Sequence, residues 1–391
     1  MAQLGPFLPP PVDLYDAQFQ NLCQTIWGWT PCALCSIARP CVGEDCPHRR
    51  LLRLEPFFQF YKDVTGSYVP ESLIPDEPRA LSCHRDLIDI ICLLQEKPSL
   101  PRMQLTTEFF SARNNVEKEL PPLADQHRAF NLAMKVLVMV GCRIEHQGGG
   151  ILEFGADPCI WRSDQSPLDF VATVFPVREH PSLNDESQAS IDIKAELSAV
   201  RLKKIAGLKF EGTAELREHL ELDQKTGVVK IYHFTSVLKE HLRASIDPIA
   251  CLSSPEALIS RRLALETLDS LQLLFPLDPD SQALLRSLVS KESFDPDCLR
   301  FGSASYRRIN ENNIPYQYWG SRLMDLFDEI ENPKPRGFVQ TWLDQKSKAR
   351  HIMLATLAGL FIAILLGFLG LIVAIVQTWI SYQAWKHPVS R

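Results

Sequence analysis

"MLATLAGLFIAILLGFLGLIVAIV", residues 353–376, contains no charged side chain. At a helical rise of about 1.5 Å per residue it covers about 36 Å, enough to cross a hydrocarbon core of about 30 Å with some tilt. The flank before it is basic (Lys346, Lys348, Arg350). The flank after it carries Trp379, Tyr382 and Trp385 at three-residue intervals, the aromatic belt expected at headgroup depth. The pattern predicts one C-terminal transmembrane helix over residues 353–380, a juxtamembrane helix over 331–352 and a short tail over 381–391.

Orientation follows from the opposite end. "MAQLGPFLPPPVDLYDAQF" has neither a basic start nor an apolar core, so no secretory signal is expected there. A chain whose first apolar signal lies near its C-terminus keeps its larger part in the cytosol, a tail-anchored, single-pass arrangement in the endoplasmic reticulum or another internal membrane. None of the Asn residues heads an N-x-[ST] acceptor, which agrees. Within the span, Ala355, Gly359, Ala363 and Gly367 recur four apart on one helix face, with Gly370 and Ala374 as a neighbouring pair. Small residues so spaced let two helix backbones approach closely, which predicts a homo-oligomer through the membrane helix.

The rest of the chain reads as globular. Over 391 residues, 46% are hydrophobic and 23% charged, and the net charge is -6. All 47 acidic residues precede residue 351, whereas only Lys386 and Arg391 of the basic residues follow it. Overall charge therefore excludes a protein drawn to nucleic acid by its global field. Residues 1–80 are rich in proline and cysteine and read as irregular, with one or two short helices. They hold the tightest cysteine cluster, Cys32-x2-Cys35-x5-Cys41-x4-Cys46, with His48 as a spare ligand. Four soft ligands could close a tetrahedron around zinc, and the spacing approaches a zinc knuckle. Loosely structured thiols, acylation and disulfides are the competing readings, and a cytosolic setting weighs against disulfides. Cys83, Cys92, Cys142, Cys159, Cys251 and Cys298 are scattered and read as small core residues.

Order begins near residue 81. "CHRDLIDIICLLQ" places Leu87, Ile88, Ile91 and Leu94 at helical spacing. Pro98 and Pro101 end it and admit a second helix, "RMQLTTEFFSA". A third, "LADQHRAFNLAMKVLVMVG", runs from an expected N-cap at Asp125 to a stop at Gly141. "CRIEHQGGGILEFG" then reads as a hairpin. Three helices followed by a hairpin is the order of a winged helix, assigned to residues 81–180. A second small α+β module spans 191–247: a helix "IKAELSAVRLKKIAG", a helix "TAELREHL", a hairpin turning at Lys225-Thr226-Gly227, and a helix "TSVLKEHLRASI". Residues 250–330 read as helical, with an N-cap at Ser254 and a closing amphipathic helix that presents Leu323, Leu326, Phe327 and Ile330. The fold class is mainly α with small β-hairpins, α+β with winged-helix-like modules, and one C-terminal transmembrane helix.

No catalytic or cofactor-binding residue is assigned. "HRDL" at His84 matches part of the kinase catalytic loop, but Ile91 stands where that loop needs Asn, and the stretch is helical. "QGGG" at 147–150 lacks the Lys-Ser/Thr and the following helix of a phosphate loop. His219, His233 and His241 lie on separate elements. A DNA-reading third helix needs an exposed basic face, yet it offers only His127, Arg128, Asn131 and Lys135. The better basic stretch is Arg201, Lys203, Lys204 and Lys209.

Several stretches resemble a group of filamentous-fungal single-pass membrane proteins of unassigned function: "RDLIDIICLL", "ADQHRAFNLAMKVLVMVGC", "VVKIYHFTSVLKEHL", "LETLDSLQLLFP" and "YWGSRLMDLFDEI" with "WLDQ" before the span. The resemblance covers roughly residues 80–385 and omits the cysteine cluster. It implies a fungal origin and one membrane helix near the C-terminus, and no activity. The expected function is a membrane-anchored, cytosol-facing, non-enzymatic scaffold or adaptor with an unknown protein partner. The alternatives are a tethered regulator that contacts nucleic acid and an accessory membrane protein of a fungal biosynthetic pathway.

Overall fold

The computed structural model describes residues 8, 17–30, 32, 46–70, 78–113, 119–144, 158–185, 187–245, 257–300, 306–308, 310–311, 314–334 and 338–386. The chain is mainly helical and divides into two compact units, Met1–Pro333 and Lys334–Arg391.

In the first unit the N-terminal region departs from expectation. It holds three helices, α1 (Ala17–Trp27), α2 (Pro47–Arg53) and α3 (Glu55–Gly66). Their apolar faces join the core through Phe19, Leu22, Ile26, Phe57, Phe58, Tyr61 and Val64, all buried. The prolines that suggested irregularity, Pro47 and Pro56, stand in the first turns of α2 and α3, where no intrahelical N–H is lost.

Next come α4 (His84–Glu96), α5 (Arg102–Arg113) and α6 (Leu123–Val138). Asp86 closes the start of α4 by accepting the N–H groups of Ser82 and Cys83 at 2.7 and 3.1 Å. Helix α4 packs between α1 and α6. Asp125 is not the N-cap of α6; Pro122 takes that position. The Asp125 carboxylate instead accepts Tyr68 Oη at 2.6 Å and the Ala80 N–H at 2.7 Å, tying the approach to α4 onto α6. The helix ends at Met139, in the left-handed region at φ 54°.

Of the expected hairpin over 142–155, only the first strand falls among the described residues. Strand β1 (Cys142–Arg143) pairs in parallel with β2 (Cys159–Ile160). "QGGG" and the predicted second strand, residues 151–155, lie outside the described residues. Helices α7 (Pro167–Val174), the single turn α8 (Pro181–Asn184), α9 (Gln188–Glu196) and α10 (Ala199–Ile205) follow. The predicted single helix over 193–207 is broken between α9 and α10, where the Ser198 hydroxyl accepts the Arg201 N–H at 3.3 Å and starts a new helix.

The second sheet has the order β3 (Lys209–Thr213), β5 (Val228–Tyr232), β4 (Glu221–Asp223). The β4–β5 hairpin turns where expected, with the Asp223 carboxylate holding Lys225 N–H at 2.8 Å and Thr226 Oγ1 at 2.6 Å. β3 adds in parallel to β5, a pairing not read from the sequence, and "TAELREHL" contributes only a 3-10 turn over Leu216–Glu218. Helices α11 (Thr235–Ala244), α12 (Arg261–Leu274), α13 (Pro279–Lys291) and α14 (Gly320–Glu331) complete the unit. Ser254 lies outside the described residues; the cap of α12 is Ser260, whose hydroxyl accepts the Leu263 N–H at 3.1 Å. Helix α14 buries Leu323, Leu326 and Ile330, so its amphipathic face packs on the domain.

The second unit is dominated by α15 (Phe338–Lys386), 49 residues and about 73 Å long. Its stretch Gly359–Gln383 has a mean hydropathy of 3.0 and is the one helix among the described residues long and apolar enough to cross a membrane.

Candidate functional site

Of the predicted zinc ligands, Cys46 is buried at the start of α2 and Cys32 is half-buried. Cys35, Cys41 and the His48 side chain lie outside the described residues. Among the described residues no group of three or more His, Cys, Asp or Glu is placed to hold a metal ion. Gly359, Ala363 and Gly367 lie exposed along α15; the Ala355 side chain is outside the described residues.

Two polar clusters of the first unit lie along α11. At its start, Ser236 Oγ donates to Asp295 Oδ2 at 2.6 Å, and Asp295 in turn gives its backbone N–H to His233 Nδ1 at 3.0 Å. Thr235 Oγ1 and Lys239 Nζ converge on Asp297 Oδ2 at 3.1 and 2.5 Å. The Cys298 thiol donates to the His233 carbonyl at 3.1 Å. Burial pushes the Asp295 carboxyl up to about 6 and His233 down to about 4. His233 is wedged against Phe234 and Phe294, and a Cβ on Gly212 would come within 2.8 Å of its ring, so glycine is required there.

This grouping has the residue types of a hydrolase triad but not its connections. A serine nucleophile needs an imidazole on its hydroxyl. Here the Ser236 hydroxyl goes to a carboxylate, and the imidazole goes to the main chain. The cavity beside it, edged by Thr235, Lys239, Asp297 and Cys298 and floored by Leu268, Leu271 and Phe275, measures about 20 Å³. That admits about one water molecule. Geometry makes the cluster a lock between α11 and the 3-10 turn Pro296–Leu299.

Further along α11 stands a buried carboxylate, Glu240. It accepts Trp29 Nε1 at 3.1 Å, both Nε and the terminal nitrogen of Arg50, and Arg243 at 3.3 Å. The Arg50 guanidinium lies 4.2 Å from the centroid of the Trp29 ring. One residue of α11 thus gathers the segments around α1 and α2. Sequence spacing carries no signal for it, since Trp29 and Glu240 are 211 residues apart.

The other candidates resolve singly. His84 meets Tyr61 Oη through Nδ1 at 2.8 Å inside the helical core. His219 is buried, with Nε2 2.8 Å from Ser270 Oγ and Nδ1 accepting the Tyr232 N–H at 3.2 Å. His241 packs edge-on against Trp27. On α6, His127 is buried, and Asn131 Oδ1 accepts Arg102 at 2.7 Å, so half of the face a nucleic acid would meet points inward. In the basic stretch, Arg201 pairs with Glu196 at 2.9 Å and Lys204 with Asp280 at 3.3 Å, which leaves little net positive field there. Glu266 was not singled out by the sequence. It is buried and accepts the N–H groups of Tyr318 and Trp319 at 2.7 and 2.6 Å, capping α14 from another helix.

Compared with known proteins, the chain matches no family model, no curated protein and no solved structure.

Proposed function

We propose that the chain is a membrane-anchored scaffold or adaptor whose folded unit faces the cytosol and binds another protein. The observation that carries this reading is the anchor: α15 runs without a break from Phe338 to Lys386 and includes the apolar stretch Gly359–Gln383. The polar clusters of the folded unit support it, because their donors and acceptors serve internal contacts around a cavity of one-water size. The resemblance to fungal single-pass proteins supports the anchored arrangement and names no activity. The winged-helix-like order of residues 81–180 fits a protein-docking module. Self-association through Ala355, Gly359, Ala363 and Gly367 belongs to the same proposal.

Protease protection of the full chain in microsomes, with a tag at each end, tests the orientation. The N-terminal tag is expected to be digested and the C-terminal tag protected; the reverse result would overturn the cytosolic reading and make the cysteine cluster a disulfide candidate. Proximity labelling tests the adaptor role. The anchored chain is expected to mark a reproducible protein set that the span-deleted chain does not; identical sets from both would remove the proposal. Gly359→Leu with Gly367→Leu is expected to weaken self-association in detergent about tenfold, or about 1.4 kcal/mol, in sedimentation equilibrium. An unchanged association constant would exclude the stripe as the contact.

A further inference from the structure

The β1–β2 ladder brings together two thiols that sequence reading left as separate core residues. The parallel register sets Cys142 directly opposite Cys159. Hydrogen bonds on either side fix that register: Cys159 N–H to the Gly141 carbonyl and Trp161 N–H to the Arg143 carbonyl, both 2.8 Å. Paired strands lie about 4.7–4.9 Å apart. Disulfides join Cα atoms about 4.4–6.8 Å apart, so the backbone already stands in bonding range and only side-chain torsions need to change.

Both thiols are free, and their settings differ. Cys142 is buried, with its sulfur 3.6 Å from the carbonyl oxygen and Oδ1 of Asn131. Cys159 is half-buried and reachable. Burial pushes its thiol up, while the neighbouring Arg217 guanidinium favours the thiolate. One partner is therefore placed to meet a reagent and the other to resolve the product.

We propose that Cys142 and Cys159 are a reversible dithiol–disulfide pair, closed by thiol–disulfide exchange with a small disulfide of the glutathione type. The Cys159 thiolate attacks one sulfur of glutathione disulfide; that S–S bond breaks, and the first glutathione leaves with the proton given up by Cys159. Cys142 then attacks the Cys159 sulfur of the mixed disulfide, and the second glutathione leaves with the Cys142 proton. Two protein thiols lose two electrons and one glutathione disulfide becomes two thiols. The closed bond staples the exit of α6 to β2 and takes Cys142 off Asn131, whose Oδ1 also holds the buried Arg102. Oxidation is thereby read by a cation inside the core.

The test uses the full-length chain in detergent, equilibrated in glutathione buffers from reducing to oxidising, then acid-quenched, alkylated and digested with trypsin. Cleavage after Arg143 separates the cysteines into peptides 136–143 and 144–162. A linked pair of these two peptides is expected to rise from about a tenth to about nine-tenths over a roughly hundredfold fall in [GSH]²/[GSSG], and to disappear with dithiothreitol. In Cys142→Ser, Cys159 is expected to stop as a glutathione adduct. If both peptides of the wild-type chain are recovered alkylated in the most oxidising buffer, or linked to other cysteines, the pair is not a redox site. The wild-type map decides this even if the variant does not fold.

Discussion

Glu240→Ala is expected to cost the folded state about 3–5 kcal/mol, the loss typical when one member of a buried ion pair is removed. Glu240 is 3% exposed, and two arginines and an indole N–H converge on it. Its loss takes the carboxylate away from the Arg50 guanidinium, where water reaches it poorly. It also leaves Trp29 Nε1 without its acceptor. The effect is directed, because Arg50 and Trp29 belong to the N-terminal segments while Glu240 belongs to α11. Loosening of α1–α3, read as faster proteolysis near Arg50, is expected before global unfolding. Glu240→Gln keeps an acceptor for the indole and should lose less. Replacing Arg50 and Glu240 together by methionine should recover part of the loss, because the Arg50 charge is then no longer held there without its carboxylate. Urea unfolding followed by tryptophan fluorescence measures all three. A Glu240→Ala midpoint within about 0.5 kcal/mol of wild type would show that the cluster contributes no more than a surface pair.

What the sequence disclosed and what it hid divide along the range of the interactions. Helices α4, α6 and α14 were legible because their apolar residues recur at three and four, and that period decides which face is buried. The long apolar C-terminal helix was legible from composition alone. The β4–β5 hairpin was legible because Asp223, Thr226 and Gly227 carry the turn chemistry locally. By contrast, the parallel additions of β3 to β5 and of β2 to β1 depend on contacts between segments well separated in sequence. The N-terminal helices were foreseen only as one or two short pieces, because the prolines of α2 and α3 sit at helix starts, where they permit a helix rather than break one. The polar clusters were hidden for the same reason as the parallel strands. Glu240, Arg50 and Trp29 are unremarkable singly, as are Cys142 and Cys159; only the fold makes them neighbours.

Acid is expected to weaken the first unit steeply before ordinary carboxylates titrate. Four histidines are held neutral by burial. His127, His233 and His241 are lowered to about 4, and His219 is lowered well below its usual range. Each has a structural reason. His233 and His219 accept main-chain N–H groups through Nδ1, so a proton there would break the bond. His241 Nε2 and His127 Nδ1 are buried and find no hydrogen-bond partner among the described residues, and the Arg102 guanidinium further disfavours charge on His127. In the unfolded chain each titrates near 6.5. A folded pKa below the unfolded one means that the unfolded state binds more protons in the window between them, so stability falls as pH drops from about 6.5 towards 4. Asp295, raised to about 6, acts with the opposite sign in the same window and offsets about one histidine, and Glu266, also raised by burial, acts in the same direction as Asp295. Near pH 5 the unfolded state then holds up to about three more protons, a slope of up to about 4 kcal/mol per pH unit. Against a total stability of about 5–15 kcal/mol, that slope should remove the folded state within a few pH units below 6.5. Urea midpoints of the full chain in detergent at pH 7, 6 and 5 measure it, and His241→Leu, which removes one titrating group without orphaning a partner, should reduce the slope by about a third. A midpoint that stays constant from pH 7 to pH 5 would mean that these imidazoles take up protons inside the fold as freely as in water, and the burial argument for all four would fail.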